Sequence, residues 1–128
     1  MGTQYLIDSN AIIDYLSGTL PSKGMDFLSE VVNAVPRVSV ISKIEVLGYN
    51  AQPSALQLLT NFMSDAEILQ LSDAIVNQTI EIRKVHKIKL PDAIIAATAL
   101  VHGFKLISRN ISDFKNIGGL TVVDPHLL

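Results

Sequence analysis

The sequence has 128 residues, enough for one domain with a buried core and too few for two, so we expect a single domain over residues 1–128. Hydrophobic residues make up 48% of the chain and charged residues only 17%, below the ~25% usual in soluble domains, which leaves apolar surface for a partner. The formal net charge of -2 excludes a broadly basic surface that coats nucleic acid, and the lack of cysteine excludes disulfides and thiolate zinc sites.

Short apolar runs alternate with helical patterns from one end of the chain to the other. The runs typical of β-strands cover residues 5–7, 37–41, 67–71, 104–108 and 120–123. The patterns typical of helices cover residues 11–16, 24–35, 42–49, 53–63, 72–87 and 90–101. Because strands that alternate with helices form parallel sheets with right-handed crossovers, we expect a three-layer α/β/α fold with a central parallel sheet of four to five strands.

Acidic residues occur at four points that the expected fold brings to one place. Asp8 directly follows the first strand, and Glu45 lies one helical turn beyond the second. Asp92 begins the helix that leads into the fourth strand, and Asp113 follows that strand by a short loop. Because the carboxyl ends of parallel strands share one edge of the sheet, we expect these four carboxylates to meet at that edge.

Two further acids, Asp73 and Asp124, also follow predicted strands. They are excluded from the cluster only if the third and fifth strands are the outermost ones, which the order along the chain does not decide. Each clustered acid also has a structural explanation as a helix cap. For example, Ser42 and Glu45 fit a capping box.

The helix predicted at 90–101 contains Asp92 as its only charged residue, and apolar residues lie on nearly every side of it. We therefore expect this helix to be covered all round, which makes the carboxylate costly to desolvate. The helix N-terminus compensates part of that cost, and a divalent cation would compensate more. At about 100° per residue, Glu45 likewise falls between Ile41 and Tyr49 on the apolar side of its helix.

A cluster of carboxylates requires positive charge, because like charges within ~4–6 Å raise one another's pKa. Oxygen ligands without cysteine or a histidine pair indicate Mg²⁺ or Mn²⁺. Ions held in this way serve phosphoryl chemistry, in which one activates a water and the other stabilises the leaving oxygen. The acidic residues therefore indicate metal-dependent phosphoryl chemistry.

The four acids lie in the segments LIDSN (6–10), SVISKIE (39–45), LPDAIIAATA (90–99) and SRNISDF (108–114). Together and in this order, the segments resemble the motifs of PIN-domain nucleases and, more narrowly, of the VapC toxins of bacterial toxin–antitoxin pairs. The resemblance covers the whole chain. It implies a Mg²⁺-dependent endoribonuclease that forms a homodimer and is neutralised by a VapB-like antitoxin, whose C-terminal segment lies near the acidic pocket.

The resemblance also implies roles for individual residues. The family's acidic quartet, which holds the metal and carries catalysis, corresponds to Asp8, Glu45, Asp92 and Asp113. Two supporting polar residues correspond to Ser9, beside the first acid, and Asn110, near the fourth.

Three cations lie near the expected edge of the sheet: Lys43, Lys89 and Arg109. We expect them to hold phosphates of an RNA substrate in a local groove, with solvated surface charge as the alternative explanation. The three histidines are expected to have structural roles, because a metal-activated water needs no histidine base.

Other classes of protein fit the pattern less well. A phosphoacceptor receiver domain needs an acidic pair after the first strand, whereas Asp8 is followed by Ser9 and Asn10. The same Asn10 disfavours phosphatases with an Asp-x-Asp loop. A housekeeping PIN nuclease in RNA processing and a PIN-fold interaction module with a decayed site stay open. No apolar stretch approaches ~18 residues, so we expect a cytoplasmic protein without a membrane role.

Overall fold

A computed structural model describes residues 2–128, so Met1 of the expected domain lies outside the described residues. The strands in this part of the chain are β1 (Tyr5–Ile7), β2 (Arg37–Ser39), β3 (Glu67–Leu69), β4 (Lys105–Ile107) and β5 (Val122–Val123). The helices are α1 (Ser9–Ser17), α2 (Ser22–Ala34), α3 (Val40–Leu47), α4 (Pro53–Asp65), α5 (Asp73–Val85), α6 (Leu90–His102) and α7 (Ile111–Phe114).

All strand pairs are parallel, as expected, but the hydrogen bonds divide the strands into two sheets. β4 pairs with β1 on one side and with β5 on the other, while β2 pairs with β3. Because β1 also packs beside β2, the strands follow the order β3-β2-β1-β4-β5 across the molecule. The expected central parallel sheet of four to five strands is therefore confirmed, and its hydrogen bonds are interrupted between β2 and β1.

This order has two consequences for the acidic edge. The third and fifth strands are the outermost ones, so Asp73 and Asp124 follow strands at the two ends of the order. Between β1 and β4 the direction of chain progression reverses, which makes this boundary the topological switch point where ligand sites form in open α/β sheets.

Helices cover both faces of the strands, which confirms the three-layer α/β/α architecture. Leu6 and Leu106 belong to a core that includes α5 and α6, whereas Ile7 and Ile107 belong to a core built with the first four helices. Successive strand residues point to opposite faces, so two neighbouring residues of each strand serve both cores. Every residue from 93 to 99 of α6 is buried, as the sequence predicts for this helix.

The start of α3 differs from the prediction. The hydroxyl of Ser39 accepts a hydrogen bond of 3.1 Å from the backbone N–H of Ile41, so the helix begins at Val40 and takes in residues that were expected in the second strand. The helix cap outweighs the β-propensity of two β-branched residues. Ser42 lies inside the helix, and its predicted capping box with Glu45 is therefore wrong.

Within residues 2–128, the helices are all too short or too polar to cross a membrane.

Candidate active site

Asp8 lies at the switch point and is almost completely buried, with 3% of its surface exposed. It directly follows β1 and caps α1, because its Oδ1 accepts a hydrogen bond of 2.8 Å from the N–H of Ser9. Its Oδ2 accepts from the hydroxyl of Ser108, at 2.8 Å, and from the side-chain amide of Asn10, at 3.2 Å. Ser108 directly follows β4, so the carboxylate is held by donors from both central strands.

Asn10 and Ser108 link the loops after β1 and β4 to each other. The Asn10 amide also donates to the Ser108 hydroxyl at 3.1 Å, and its Oδ1 accepts from the N–H of Arg109 at 3.1 Å. The N–H of Asn110 donates to the same hydroxyl. Neither Asn10 nor Ser108 was singled out as a site residue from the sequence. Their shared position after neighbouring strands is the signal that could have identified them.

Glu45 lies on α3 and is exposed, so its predicted place on the apolar side of the helix is wrong. Val46 and Ser42 form the buried side, while Ile44 and Tyr49 are 63% and 60% exposed. Apolar residues occur on several sides of this helix, and packing against α1 and α6 selects which side is buried. The Ser9 hydroxyl donates to Oε1 of Glu45 at 2.7 Å and thereby joins α1 to α3.

Asp92 and Asp113 line the same cavity, which has a volume of about 750 Å³. Asp92 lies in the first turn of α6 and is half-buried, but Lys89 rather than Asp92 occupies the position that caps this helix. Asp113 lies on the short helix α7 and is exposed. A simple capping role therefore does not account for the placement of Asp92.

The electrostatics connect the four acids. Burial raises the pKa of Asp8 despite its hydrogen bonds from Ser108 and Ser9, and the charges of Asp92 and Glu45 raise it further. Burial also raises the pKa of Asp92, with added contributions from Asp113 and Glu45 that Lys89 partly offsets. The structure thus brings the four carboxylates to one edge, close enough for their charges to repel.

The donor set has the chemistry that Mg²⁺ prefers, since it consists of carboxylate oxygens whose mutual repulsion a divalent cation would relieve. As the side chains stand in residues 2–128, no three Asp, Glu or His groups are near enough to one another to hold an ion. Asp8 is buried and held by several hydrogen bonds, whereas Glu45 and Asp113 are exposed, and Glu45 accepts one hydrogen bond from the Ser9 hydroxyl. Metal binding therefore requires movement of these exposed side chains toward Asp8 and Asp92.

The three predicted phosphate ligands differ in their surroundings. Lys89 is exposed and lines the cavity beside Asp92, and Lys43 is half-buried on α3. The Nη1 atom of Arg109 lies 3.2 Å from both carboxylate oxygens of Asp14 on α1, so this guanidinium is already paired.

Asp14 is a buried acid that the sequence analysis missed. It is only 7% exposed, and besides Arg109 it contacts Nε2 of His126 at 2.9 Å. Asp14 falls three residues after the buried Ala11, so helical periodicity alone could have placed it on the inner side of α1. Its two partners are distant in sequence, and no local pattern indicates them.

Comparison with known proteins gives one family. The PIN domain family model matches residues 5–120. Ribonuclease VapC1 of Rickettsia felis is 53% identical over 32 residues, and the match spans about a quarter of each protein, 25% of this chain and 24% of the relative.

Solved structures match nearly the whole chain. In a toxin–antitoxin complex from Klebsiella pneumoniae, the similar chain is 33% identical with a TM-score of 0.74, over 95% of this chain and 98% of that one. DNA-bound VapBC from Salmonella typhimurium has a TM-score of 0.81 over 97% and 99% of the two chains, and at 20% identity it supports the fold alone.

The burial of Asp92 and its repulsion by Asp113 and Glu45 predict that Asp92→Asn stabilises the metal-free protein at neutral pH, by about 0.5–1 kcal/mol, the size of partly exposed charge interactions. The pKa of Asp92 is raised above 3.8 in the folded state, so the wild type loses stability as pH rises from about 3.8 through the folded pKa. The gain from the substitution should therefore be largest above that range and smallest below it. Urea denaturation in EDTA across this pH range measures the difference.

Asp26→Asn is the matched control, because Asp26 is an exposed acid on α2. It should leave the pH dependence of stability unchanged. An equal gain in the free energy of unfolding in both variants, or a gain that persists at low pH for Asp92→Asn, would contradict the proposed cost of ionising Asp92 in the folded protein.

Proposed function

The chain belongs to the PIN domain family, and from this premise we propose that it is a Mg²⁺-dependent endoribonuclease that acts as a VapC-like toxin. The observation that carries the proposal is the electrostatic coupling of Asp8 and Asp92 at the switch point between β1 and β4. Asp92, more than 80 positions away in the sequence, adds to the burial that already raises the pKa of Asp8 there. A fold alone has no need of this arrangement, whereas metal-dependent hydrolysis does.

The four acids Asp8, Glu45, Asp92 and Asp113 are the proposed ligands of the metal. When bound, Mg²⁺ or Mn²⁺ would lower the pKa of a water that attacks the phosphodiester and would neutralise charge on the leaving oxygen. In the hydrolysis, water adds across one P–O bond and leaves a phosphate monoester and a hydroxyl group.

The protein's own groups set the geometry of this reaction. Ser108 and Asn10 orient the Asp8 carboxylate, and the Ser9 hydroxyl holds Glu45 toward it. The charge of Lys89 favours the ionised form of Asp92, as a metal ligand requires. The N–H of Asn110 helps to fix the Ser108 hydroxyl, which gives Asn110 a supporting role through its backbone.

We further propose that an antitoxin of the VapB type neutralises this protein and places its C-terminal segment near the acidic edge. The support is the Klebsiella chain, which is 33% identical over almost its full length and was solved as part of a toxin–antitoxin complex. Because RNA is the proposed substrate, the site of action is the cytoplasm.

The activity test uses Asp8→Asn and Asp92→Asn. Each should lower the rate of Mg²⁺-dependent cleavage of a fluorogenic RNA by at least about 100-fold, above the loss typical for residues outside the metal's own ligands. EDTA should abolish cleavage by the wild type. The matched control is Asp73→Asn, since Asp73 follows the outermost strand β3 and should not contribute.

Undiminished cleavage by a folded, pure double variant Asp8→Asn/Asp92→Asn would reject the assignment of the site. A wild type that binds Mg²⁺ but cleaves no RNA would favour the interaction module over the nuclease.

Toxicity is tested in cells by inducing the wild type and Asp8→Asn at equal protein levels. We expect the wild type to stop growth and the variant to allow it, with relief by co-expression of the product of a short neighbouring gene. Normal growth with active RNA cleavage in vitro would indicate a housekeeping nuclease of RNA processing instead.

The proposed homodimer follows from exposed apolar side chains such as Ile44, Tyr49 and Val85, which are costly to leave in water. Light scattering on the purified protein should give twice the chain mass of 13.9 kDa. A mass of 13.9 kDa that does not change with concentration would contradict the dimer.

A further inference from the structure

The cavity that contains Asp92 and Asp113 has a second, positively charged side. Arg83, Lys87 and Lys89, which we call the cationic wall, line this cavity from the end of α5 and the connection to α6. All three side chains are exposed. Within residues 2–128, none of these three cations lies within salt-bridge distance of a carboxylate, although Lys89 is close enough to Asp92 to lower the pKa of that acid.

Helix electrostatics explain only part of the cationic wall. Cations near the C-terminus of a helix are favourable, which accounts for Arg83 and for Lys84 in the last turn of α5. Lys89, however, caps the N-terminus of α6, where a positive charge is unfavourable. Lys84 does not line the cavity and lies 3.3 Å from Glu81 instead. The cationic wall thus contains only those local cations that line the cavity with Asp92 and Asp113.

Three of the other lining residues offer groups of the kinds that bind RNA bases. Ser112 and Asn116 offer uncharged hydrogen-bonding groups, and the half-buried His86 offers an aromatic ring. Unpaired bases in RNA are recognised by such hydrogen bonds and by stacking on aromatic rings. The volume of about 750 Å³ is in the range of ligand pockets, about 300–1,000 Å³.

We propose that the cationic wall binds the phosphates of single-stranded RNA on one side of the scissile bond, an inference that rests on the proposed nuclease function for its substrate. The chain carries a net charge of -2 and repels a polyanion overall, so a local wall of three cations gives the strand one favourable approach. Arg109 does not line this cavity and is paired with Asp14. The cations of the wall, rather than Arg109, are therefore the proposed phosphate ligands.

The test measures binding of a fluorescein-labelled single-stranded RNA of twelve mixed nucleotides by anisotropy, in EDTA and at several NaCl concentrations. The test variant is the double substitution Arg83→Gln/Lys87→Gln. Each phosphate contact in a single strand contributes about 0.7 to the slope of log K against log salt, so the slope should fall by about 1.4. In Mg²⁺, KM should rise with kcat unchanged.

The matched control is Lys84→Gln/Lys105→Gln, which removes the same charge from exposed residues outside the cavity. It should leave the slope unchanged. An equal loss of slope in both double variants, or no loss in either, would overturn the proposal. Lys87→Gln alone serves if the double variant unfolds, with an expected loss of about 0.7.

The two hypotheses fail in different ways. Binding in EDTA does not involve the metal. If Arg83→Gln/Lys87→Gln lowers the salt slope as expected but the wild type cleaves no RNA in Mg²⁺, the nuclease function is rejected and RNA binding by the cationic wall is supported. Normal cleavage with kinetics unaffected by the substitutions would reject the wall and keep the nuclease.

Discussion

The burial of the Asp8 carboxylate at the boundary of β1 and β4 is the constraint on which the site depends. A buried charge is tolerated only with hydrogen-bonding partners, and Asp8 obtains them from Ser9, Asn10 and Ser108. One donor follows β4 and the others follow β1, so the carboxylate is satisfied only if these two strands are neighbours. The strand order that creates the switch point thus also supplies the hydrogen-bond donors that stabilise the buried Asp8 carboxylate.

The remaining acids reach this edge on three different helices, and their proximity is electrostatically unfavourable. Their charges add to the burial that already raises the pKa of Asp8 and Asp92, while Lys89 alone is seen to offset the effect at Asp92. A fold selected for stability would remove such repulsion with neutral residues, so its presence indicates a site that is completed by a cation. A buried, hydrogen-bonded Asp8 and exposed Glu45 and Asp113 fit that interpretation, since a divalent ion can draw exposed side chains inward.

Much of the fold follows from local sequence signals, and the exceptions have physical causes. Strand and helix order follows from periodicity, as for the buried middle of α6. The predicted start of α3 is wrong because the Ser39 cap outweighs the β-propensity of the residues that follow it. The predicted buried position of Glu45 is wrong because tertiary packing selects which of several apolar sides of α3 is buried. The grouping of the acids could be predicted from parallel topology. The pairing of Asp14 with Arg109 and His126 could not, because it joins distant segments.

That long-range pairing affects how the substrate is held. Asp14 pairs with Arg109, while Arg83 and Lys87 in the cavity of Asp92 and Asp113 have no carboxylate within salt-bridge distance in residues 2–128. Arg109 and the pair Arg83 and Lys87 are all positively charged, so charge alone does not distinguish them as phosphate ligands. The unpaired Arg83 and Lys87 can exchange solvent counterions for RNA phosphates directly, whereas the paired guanidinium of Arg109 must first lose its own carboxylate. The pairing therefore favours the cavity of Asp92 and Asp113 as the place where phosphates bind, and the buried acid on α1 contributes to that preference from outside the cavity.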